Sequence, residues 1–303
     1  MHEPPPHVTD DDVLGCLREH WAAAVDRIQH LPVGFGAHHW AAYAQGEPRL
    51  FVTLDGLLPR HSRESLESAY ASAARLARDG LNFVVANLPA RSVTFTVPFA
   101  DGSLSTTAWR VGVAGDGGFV DDGDAGRTLE MLRRLHGAAP PTGIPRWRPL
   151  VSNGFANDLA AGVEREWQTG PYGERARTAI QGRLGDIAAW TSDYHRLAAT
   201  TDPETWVPTH GEPHTRNQLR SPGGTWLVDW ESLKLAPRER DLRTLHECGF
   251  GDLVDADPAL LEMFDLEWRL DEIAQYADWF AAPHSGTESD RVAIDGLLGE
   301  LSR

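Results

Sequence analysis

The stretch His210-Gly211-Glu212-Pro213-His214-Thr215-Arg216-Asn217, with Trp226-Leu227-Val228-Asp229-Trp230-Glu231 shortly after it, decides the fold. The first segment carries a carboxylate at Glu212 and an amide five residues later at Asn217. The second predicts a short strand over 226–229 that delivers the carboxylate of Asp229 to the same site. Carboxylate and amide oxygens suit a hard cation such as Mg²⁺. The two segments together predict a metal-dependent site.

This order of residue types is typical of phosphoryl transfer. A kinase loop orients the acceptor hydroxyl with one carboxylate, places an amide oxygen on Mg²⁺ and adds a carboxylate after the next strand. Asn217 and Asp229 match the two metal-binding positions, and a turn or cap role is the alternative for each. Glu212 stands where such a loop normally has Asp.

Further segments make the chain resemble the aminoglycoside phosphotransferase family, and within it the spectinomycin-phosphotransferase-like proteins. No single motif is specific, but the segments follow the family's order from about residue 34 to residue 280. Besides the loop itself, they are Gly34-Phe35-Gly36 with Trp40, Leu135-His136, the run Ala236-Pro237-Arg238-Glu239-Arg240-Asp241-Leu242, and the residues from Trp268 to Tyr276.

The resemblance implies an α+β protein with a bilobal, protein-kinase-like fold. Residues 1–112 would form a small antiparallel-sheet lobe that binds the nucleotide. Residues 113–303 would form a larger, mainly helical lobe for catalysis and substrate binding. Hydrophobic periodicity predicts helices over 9–21, 62–79, 125–137, 156–167, 172–200 and 257–282, and strands over 38–44, 49–54, 82–87, 91–98 and 104–112.

The nucleotide site shows the larger departure from the family. The resemblance makes the loop with Gly34 and Gly36 a cover for the nucleotide's phosphates. It also places Thr53 where the family carries the lysine that clamps those phosphates. Lys234 is the only lysine, and it lies beyond Asp229 on the part of the chain assigned to the other lobe. Candidate replacement cations are His38, His39, Arg49 and Arg60, and the lysine's usual glutamate partner would be Glu64 or Glu67.

Glu212 is the second departure. Its extra methylene displaces the carboxylate, and a misplacement of about 1 Å can cost on the order of 10²-fold in rate. Since Glu still accepts a hydrogen bond from a hydroxyl, we expect impaired rather than abolished transfer, or a fit to a differently placed acceptor.

Other polar residues receive structural or substrate roles. The resemblance gives His210 and Asp241 the task of holding the loop. It places His214, Glu231 and Asp271 as candidate substrate contacts, although a loop histidine is more often simply solvated. Asp271 belongs to an acidic group that would form a rim for substrate amines, with core or solvated positions as the alternative for each member: Asp265, Glu267, Asp271 and Glu272.

Composition narrows the possible partners. The 303 residues include 28 Lys plus Arg against 44 Asp plus Glu, a net charge of −16, which argues against broad nucleic-acid binding. An acidic field favours a cationic small molecule, or confers only solubility. We expect a cytoplasmic protein without membrane association, because no apolar run approaches roughly 20 residues. Cys16 and Cys248 predict no disulfide framework, and the sequence does not set the oligomeric state.

Three functions stay open at this point. The first is an ATP- or GTP-dependent, Mg²⁺-dependent O-phosphotransferase that acts on an antibiotic-like or biosynthetic compound. The second is a degenerate kinase-fold protein, a pseudokinase, that binds a ligand without transferring phosphate. The third is a pocket recruited for other chemistry, with Glu212 and His214 as acid and base.

Overall fold

The computed structural model describes residues 1–21, 24–34, 36–57 and 60–303. The chain divides into two compact units, each formed from two stretches. Unit 1 comprises Met1–Trp147 and Pro203–Asp255, and unit 2 comprises Arg148–Asp202 and Ala256–Arg303. The N-terminal sheet and the loop at 210–217 therefore belong to the same unit. The sequence-based boundary at residue 112 stays a prediction.

A five-stranded antiparallel sheet begins unit 1, with strand order β1-β2-β3-β5-β4. Its strands are β1 (Arg27–Leu31), β2 (Ala37–Ala44), β3 (Glu47–Gly56), β4 (Thr96–Phe99) and β5 (Gly102–Ala108). On β3 the side chains alternate between two faces. Leu50, Val52 and Leu54 are buried in a core with Leu17 of helix α1 (Asp10–His20). The opposite face of β3 carries Thr53 and Asp55.

The helices of the sheet region begin at side-chain caps. Thr9 caps α1 by accepting a hydrogen bond from the Asp12 backbone N–H, and the Asp12 side chain accepts one in return. Ser62 caps helix α2 (Arg63–Arg78) in the same way. Glu67 of α2 accepts hydrogen bonds from the backbone N–H groups of Phe95 and Thr96. These bonds attach α2 to β4. The predicted helices over 9–21 and 62–79 and the predicted strands over 38–44 and 49–54 are confirmed.

Three predicted strands are wrong or too long. Residues 82–87 form only isolated bridges, Val84 with Leu227 and Asn87 with Thr107, because the segment crosses between two sheets. The strand predicted over 91–98 is shortened to β4, since Val93 has a φ of 67° and turns the chain. The strand predicted over 104–112 ends at Ala108. β1 was missed, because only Ile28 of its five residues is buried.

The rest of unit 1 holds small sheets and two helices. β10 pairs with β7, and a three-stranded sheet has the order β6-β8-β9. The elements are β6 (Val113–Ala114), α3 (Asp122–His136), β7 (Val207–Thr209), β8 (Gln218–Ser221), β9 (Gly224–Leu227), β10 (Lys234–Ala236) and α7 (Glu239–Leu245). The strand predicted over 226–229 stops two residues early, because Asp229 has a φ of 71° and cannot continue it.

Unit 2 is helical. Its elements are α4 (Phe155–Gly162), α5 (Gly173–Gln181), α6 (Leu184–Ala198), α8 (Pro258–Ala281) and α9 (Glu288–Ser302). The single helix predicted over 172–200 is wrong, since the chain breaks at Gly182 and Arg183 into α5 and α6. α9 was missed despite its capping box of Thr287 and Asp290. An antiparallel N-terminal sheet with a helical remainder confirms the predicted α+β class. None of the described helices combines the length and apolarity needed to cross a membrane.

Candidate active site

The loop at 210–217 is anchored by one buried carboxylate from α7. Asp241 accepts hydrogen bonds from the backbone N–H groups of His210 at 3.0 Å and Gly211 at 2.6 Å, and Nε2 of His136 lies 2.9 Å from it. Gly211 has a φ of 101°, and a Cβ there would lie 2.3 Å from Nη2 of Arg240. Only glycine fits this turn. The predicted structural role of Asp241 is confirmed.

His210 connects this loop to the segment that carries Asp229. Its Nδ1 accepts the backbone N–H of Glu212 at 3.2 Å, so Nε2 carries the proton and donates to the Val228 carbonyl at 2.8 Å. Burial lowers the pKa of His210, which favours this neutral form. His210 therefore holds the loop by hydrogen bonds, as predicted.

The two predicted metal ligands lie on adjoining backbone segments. The Asn217 backbone carbonyl accepts the N–H of Val228 at 2.9 Å, which fixes Asn217 next to the residue before Asp229. The Asn217 side-chain nitrogen donates to the Glu212 carbonyl at 3.0 Å. This bond orients the amide so that its oxygen is the end turned away from the loop backbone. Asp229 itself holds a left-handed φ of 71°, a strained conformation of the kind that clusters at functional sites.

Glu231 adds a carboxyl group that the sequence had assigned to substrate. Burial raises the pKa of Glu231 well above its ordinary range, and the adjacent Asp229 adds to the rise through its charge and a hydrogen bond. The Oε2 atom of Glu231 is buried without a hydrogen-bond partner among the described residues. Two neighbouring carboxyl groups with an unsatisfied buried oxygen fit a divalent cation. Asp229, Asn217 and Glu231 would hold it.

Glu212 lies between two basic side chains. Its carboxylate oxygens are 3.9 Å from Nη1 of Arg60 and 3.7 Å from Nε2 of His214. Burial opposes ionisation of Glu212, but His214 and the charge of Arg60 outweigh it and lower the pKa to about 2. Glu212 is therefore an ionised acceptor for a hydrogen bond. The structure brings His214 close to Glu212, and the substrate role of His214 stays a prediction.

Thr53 is paired with a histidine of the neighbouring strand. His39 on β2 is the direct partner of Thr53 in the β2–β3 register, and its Nδ1 lies 3.3 Å from the Thr53 hydroxyl. A Cβ on Gly34 would lie 3.0 Å from Nε2 of the same ring. Gly34 and Gly36 both have positive φ, at 71° and 92°, and Phe35 between them lies outside the described residues. The glycine loop thus lies beside His39.

Neither predicted glutamate partner is available for a clamp at position 53. Glu67 binds β4, and Glu64 is exposed. The sequence did not identify the buried pair that lies nearby: the Tyr70 hydroxyl of α2 donates to Oδ2 of Asp55 at 2.9 Å. Burial raises the pKa of Asp55 to about 7. Asp55 follows Thr53 on the same face of β3, and this alternation is the signal that could have found it.

The other basic side chains named as candidate replacements for the lysine, and their neighbours, lie elsewhere in unit 1. His38 lies on the opposite face of β2, where its ring neighbours His30 and Trp40. Lys234 lies in unit 1, the unit that also contains Thr53. Burial lowers the pKa of His61 to about 4, and the charges of Lys234 and Arg60 add to that effect.

The acidic residues of α8 belong to unit 2 and are mostly engaged there. Buried Glu267 accepts a hydrogen bond from the Tyr194 hydroxyl, and Asp265 pairs with Arg269 and Arg303. Asp271 is also buried, and it accepts a hydrogen bond from the Gln275 side chain at 2.9 Å. Its predicted contact with substrate stays a prediction.

Comparisons with known proteins give matches over most of the chain. The model of the phosphotransferase enzyme family, APH, matches residues 33–279. Protein StrN of Streptomyces griseus is 27% identical over 261 residues, which cover 82% of this chain and 77% of StrN.

Two solved structures share the fold. Spectinomycin phosphotransferase APH(9)-Ia, crystallised with ADP and spectinomycin, superposes with a TM-score of 0.71 and 16% identity over 98% of both chains. A choline/ethanolamine kinase family protein from Mesorhizobium loti gives 0.58 and 18%, over 96% of this chain and 93% of its own. The predicted kinase-like fold is confirmed.

Proposed function

Because the chain belongs to the phosphotransferase enzyme family APH, we propose that it is a small-molecule O-phosphotransferase with an active site built around Asn217 and Asp229. It transfers the γ-phosphoryl group of ATP or GTP to a hydroxyl group of an antibiotic-like or biosynthetic compound. The observation that carries the proposal is the hydrogen-bonded junction of the two segments. Val228 bonds to both His210 and Asn217, which supports the grouping of the loop carboxylate and the proposed cation-binding oxygens in one site.

The acceptor that fits best is a hydroxylated amine. The net charge of −16 creates a field that attracts cations. Spectinomycin phosphotransferase, which shares the fold, was crystallised with ADP and an antibiotic. By analogy we propose a role in antibiotic resistance or biosynthesis, in the cytoplasm where ATP and GTP are available.

Each side chain of the proposed site has a separate role in phosphoryl transfer. The ionised Glu212 accepts a hydrogen bond from the acceptor hydroxyl and orients its oxygen for attack. His210 and Asp241 keep the loop in position, which matters because phosphoryl transfer depends mainly on alignment. Asp229, Asn217 and Glu231 would hold Mg²⁺, which when bound supplies positive charge beside the phosphates.

A transfer assay tests the proposal. Purified protein is incubated with Mg²⁺, radiolabelled ATP or GTP and a panel of hydroxylated amines, and labelled product is measured. We expect product with at least one acceptor and no detectable product with Asp229→Ala. Glu212→Gln should lower kcat by about 10²- to 10⁴-fold, since it removes the acceptor carboxylate. If product forms equally well with Asp229→Ala, the proposed site is wrong.

The second candidate is a protein that binds nucleotide without transferring it. The observation that favours it is the combination of Thr53 and Glu212 at two positions where the family has Lys and Asp. The same assay separates the two. Nucleotide binding by a protein that yields no labelled product with any acceptor would support this second candidate.

A further inference from the structure

We propose that His39 of β2 replaces the missing lysine as the side chain that binds the nucleotide's phosphates, and that Thr53 positions its ring. This inference rests on the proposed function, because it assigns a residue of the same nucleotide site. In the family the phosphate clamp comes from β3. Here it would come from the adjacent strand, at the position directly opposite.

The sheet register places His39 correctly. His39 and Thr53 are direct cross-strand partners, so both side chains leave the sheet on the same face. Directly opposite residues have Cβ atoms about 5 Å apart. The Cβ atom of residue 39 therefore lies close to the position that the Cβ atom of a lysine at residue 53 would occupy. His39 is only 8% exposed and packs against the Phe51 ring at 5.0 Å, so the imidazole is held rather than free to rotate.

The bond to Thr53 fixes which ring nitrogen can bind an anion. The Thr53 hydroxyl lies 3.3 Å from Nδ1, and the hydrogen bonds among the described residues engage His39 through that atom alone. When the hydroxyl donates to Nδ1, the ring proton resides on Nε2. The Nε2–H group is then a donor for a phosphate oxygen. The Thr53 hydroxyl thus positions the His39 ring, so threonine at this position does more than replace a lysine.

A contact with Gly34 supports a position of Nε2 beside the nucleotide phosphates. The nearest atom to a Cβ on Gly34 would be Nε2 itself, at 3.0 Å, so Gly34 lies beside this edge of the ring. Glycine loops in kinases cover the nucleotide phosphates. Burial lowers the pKa of His39 to about 4, against the charge of Asp229, which raises it. The imidazole is therefore neutral and can act as a hydrogen-bond donor beside Gly34.

The other basic side chains considered for this role are less suited to binding the phosphates. His38 lies on the opposite face of β2, beside Trp40. Arg49 is four residues from Thr53 along β3, roughly 13 Å at strand spacing, and is exposed. Arg60 lies beside Glu212 at the acceptor end of the site.

Calorimetric titration of the full chain with ADP, GDP, adenosine and guanosine in the presence of Mg²⁺ tests this assignment. His39→Gln should weaken binding of the preferred diphosphate roughly 10- to 100-fold, the usual effect of losing a hydrogen bond to a charged group. Affinity for the corresponding nucleoside should not change, because His39 contacts only phosphate. His38→Gln is the matched control on the same strand, and its diphosphate affinity should equal that of the wild type.

A second pair of variants tests the positioning role. Thr53→Val should weaken diphosphate binding several-fold, and Thr53→Ser should retain it because the hydroxyl is kept. If His39→Gln does not fold, the two Thr53 variants still test the inference. Wild-type diphosphate affinity in either His39→Gln or Thr53→Val would overturn the inference and leave the proposed function standing. A wild-type protein that binds no nucleotide would overturn both.

Discussion

At the scale of single residues, Asp55 is a carboxyl group that the fold buries away from water. It lies on the same face of β3 as Thr53, and the Tyr70 hydroxyl donates to its Oδ2 atom at 2.9 Å. Burial raises its pKa to about 7, with the charge of Asp229 adding to the rise. A carboxyl group of this kind binds its proton more tightly in the folded chain than in the unfolded chain.

The pH dependence of stability follows from that difference. Because the folded pKa is raised, the contribution of Asp55 to stability is fully present below about pH 4 and is lost as the pH rises through 7. A rise of about three pKa units corresponds to about 4 kcal/mol. Asp55→Asn should therefore unfold at higher urea concentration than the wild type at pH 8, with a difference that shrinks towards pH 4. Exposed Asp101→Asn is the control, and an equal pH profile for Asp55→Asn and wild type would contradict the expectation.

The contact between Asn217 and the segment that carries Asp229 was easier to predict from the sequence than the contacts around Thr53. The spacing of Glu212, Asn217 and Asp229 sufficed because all three lie on two short segments joined by local hydrogen bonds. His39 was only one of several candidate cations. Its pairing with Thr53 depends on the register between two strands, which a list of residues along the chain does not contain.

At the scale of elements, helix α7 holds the loop at 210–217 in place. Asp241 accepts two backbone N–H groups of the loop and lies against His136 of α3, so a single side chain joins three segments. The interaction with His136 and the surrounding positive charges overcome the burial of Asp241 and lower its pKa. The loop is thus held by an ionised carboxylate.

Removing this carboxylate should cost both stability and activity. Asp241→Ala leaves the two buried N–H groups of His210 and Gly211 without a partner, and each such loss costs about 1–3 kcal/mol. We expect the free energy of unfolding, measured in urea, to fall by about 3 kcal/mol or more. The exposed Asp252→Ala on the following turn should change it by less than about 0.5 kcal/mol. A small effect of Asp241→Ala would mean that the loop is held by other contacts.

Among the elements, long amphipathic helices were predictable and their interruptions were not. α8 was predicted nearly to its ends, since Leu266, Leu270 and Ile273 repeat on one buried face. The break between α5 and α6 was missed because apolar residues continue at helical spacing on both sides of Gly182. β1 shows the reverse problem, because its sequence Arg27-Ile28-Gln29-His30-Leu31 offers too few apolar residues to mark a strand.

At the scale of the whole molecule, the chain assembles its five-stranded sheet and the loop at 210–217 within one unit. Unit 1 contains the glycine loop, Thr53, His39, Glu212 and Asp229, although these residues span nearly 200 positions of sequence. The family and the kinase-like fold were predictable from the order of motifs. The division into units was not predictable, because unit 2 combines an internal segment, 148–202, with the C-terminal segment 256–303.

The proposed function requires that unit 1 forms a Mg²⁺-dependent nucleotide site despite the departures at Thr53 and Glu212. Calorimetric titration with ATP and GTP, each with and without Mg²⁺, tests it most directly when wild type and Asp229→Ala are compared. We predict micromolar binding of at least one nucleotide that requires Mg²⁺ and is lost in Asp229→Ala. Absence of binding, or binding that is indifferent to both Mg²⁺ and Asp229, would contradict the account.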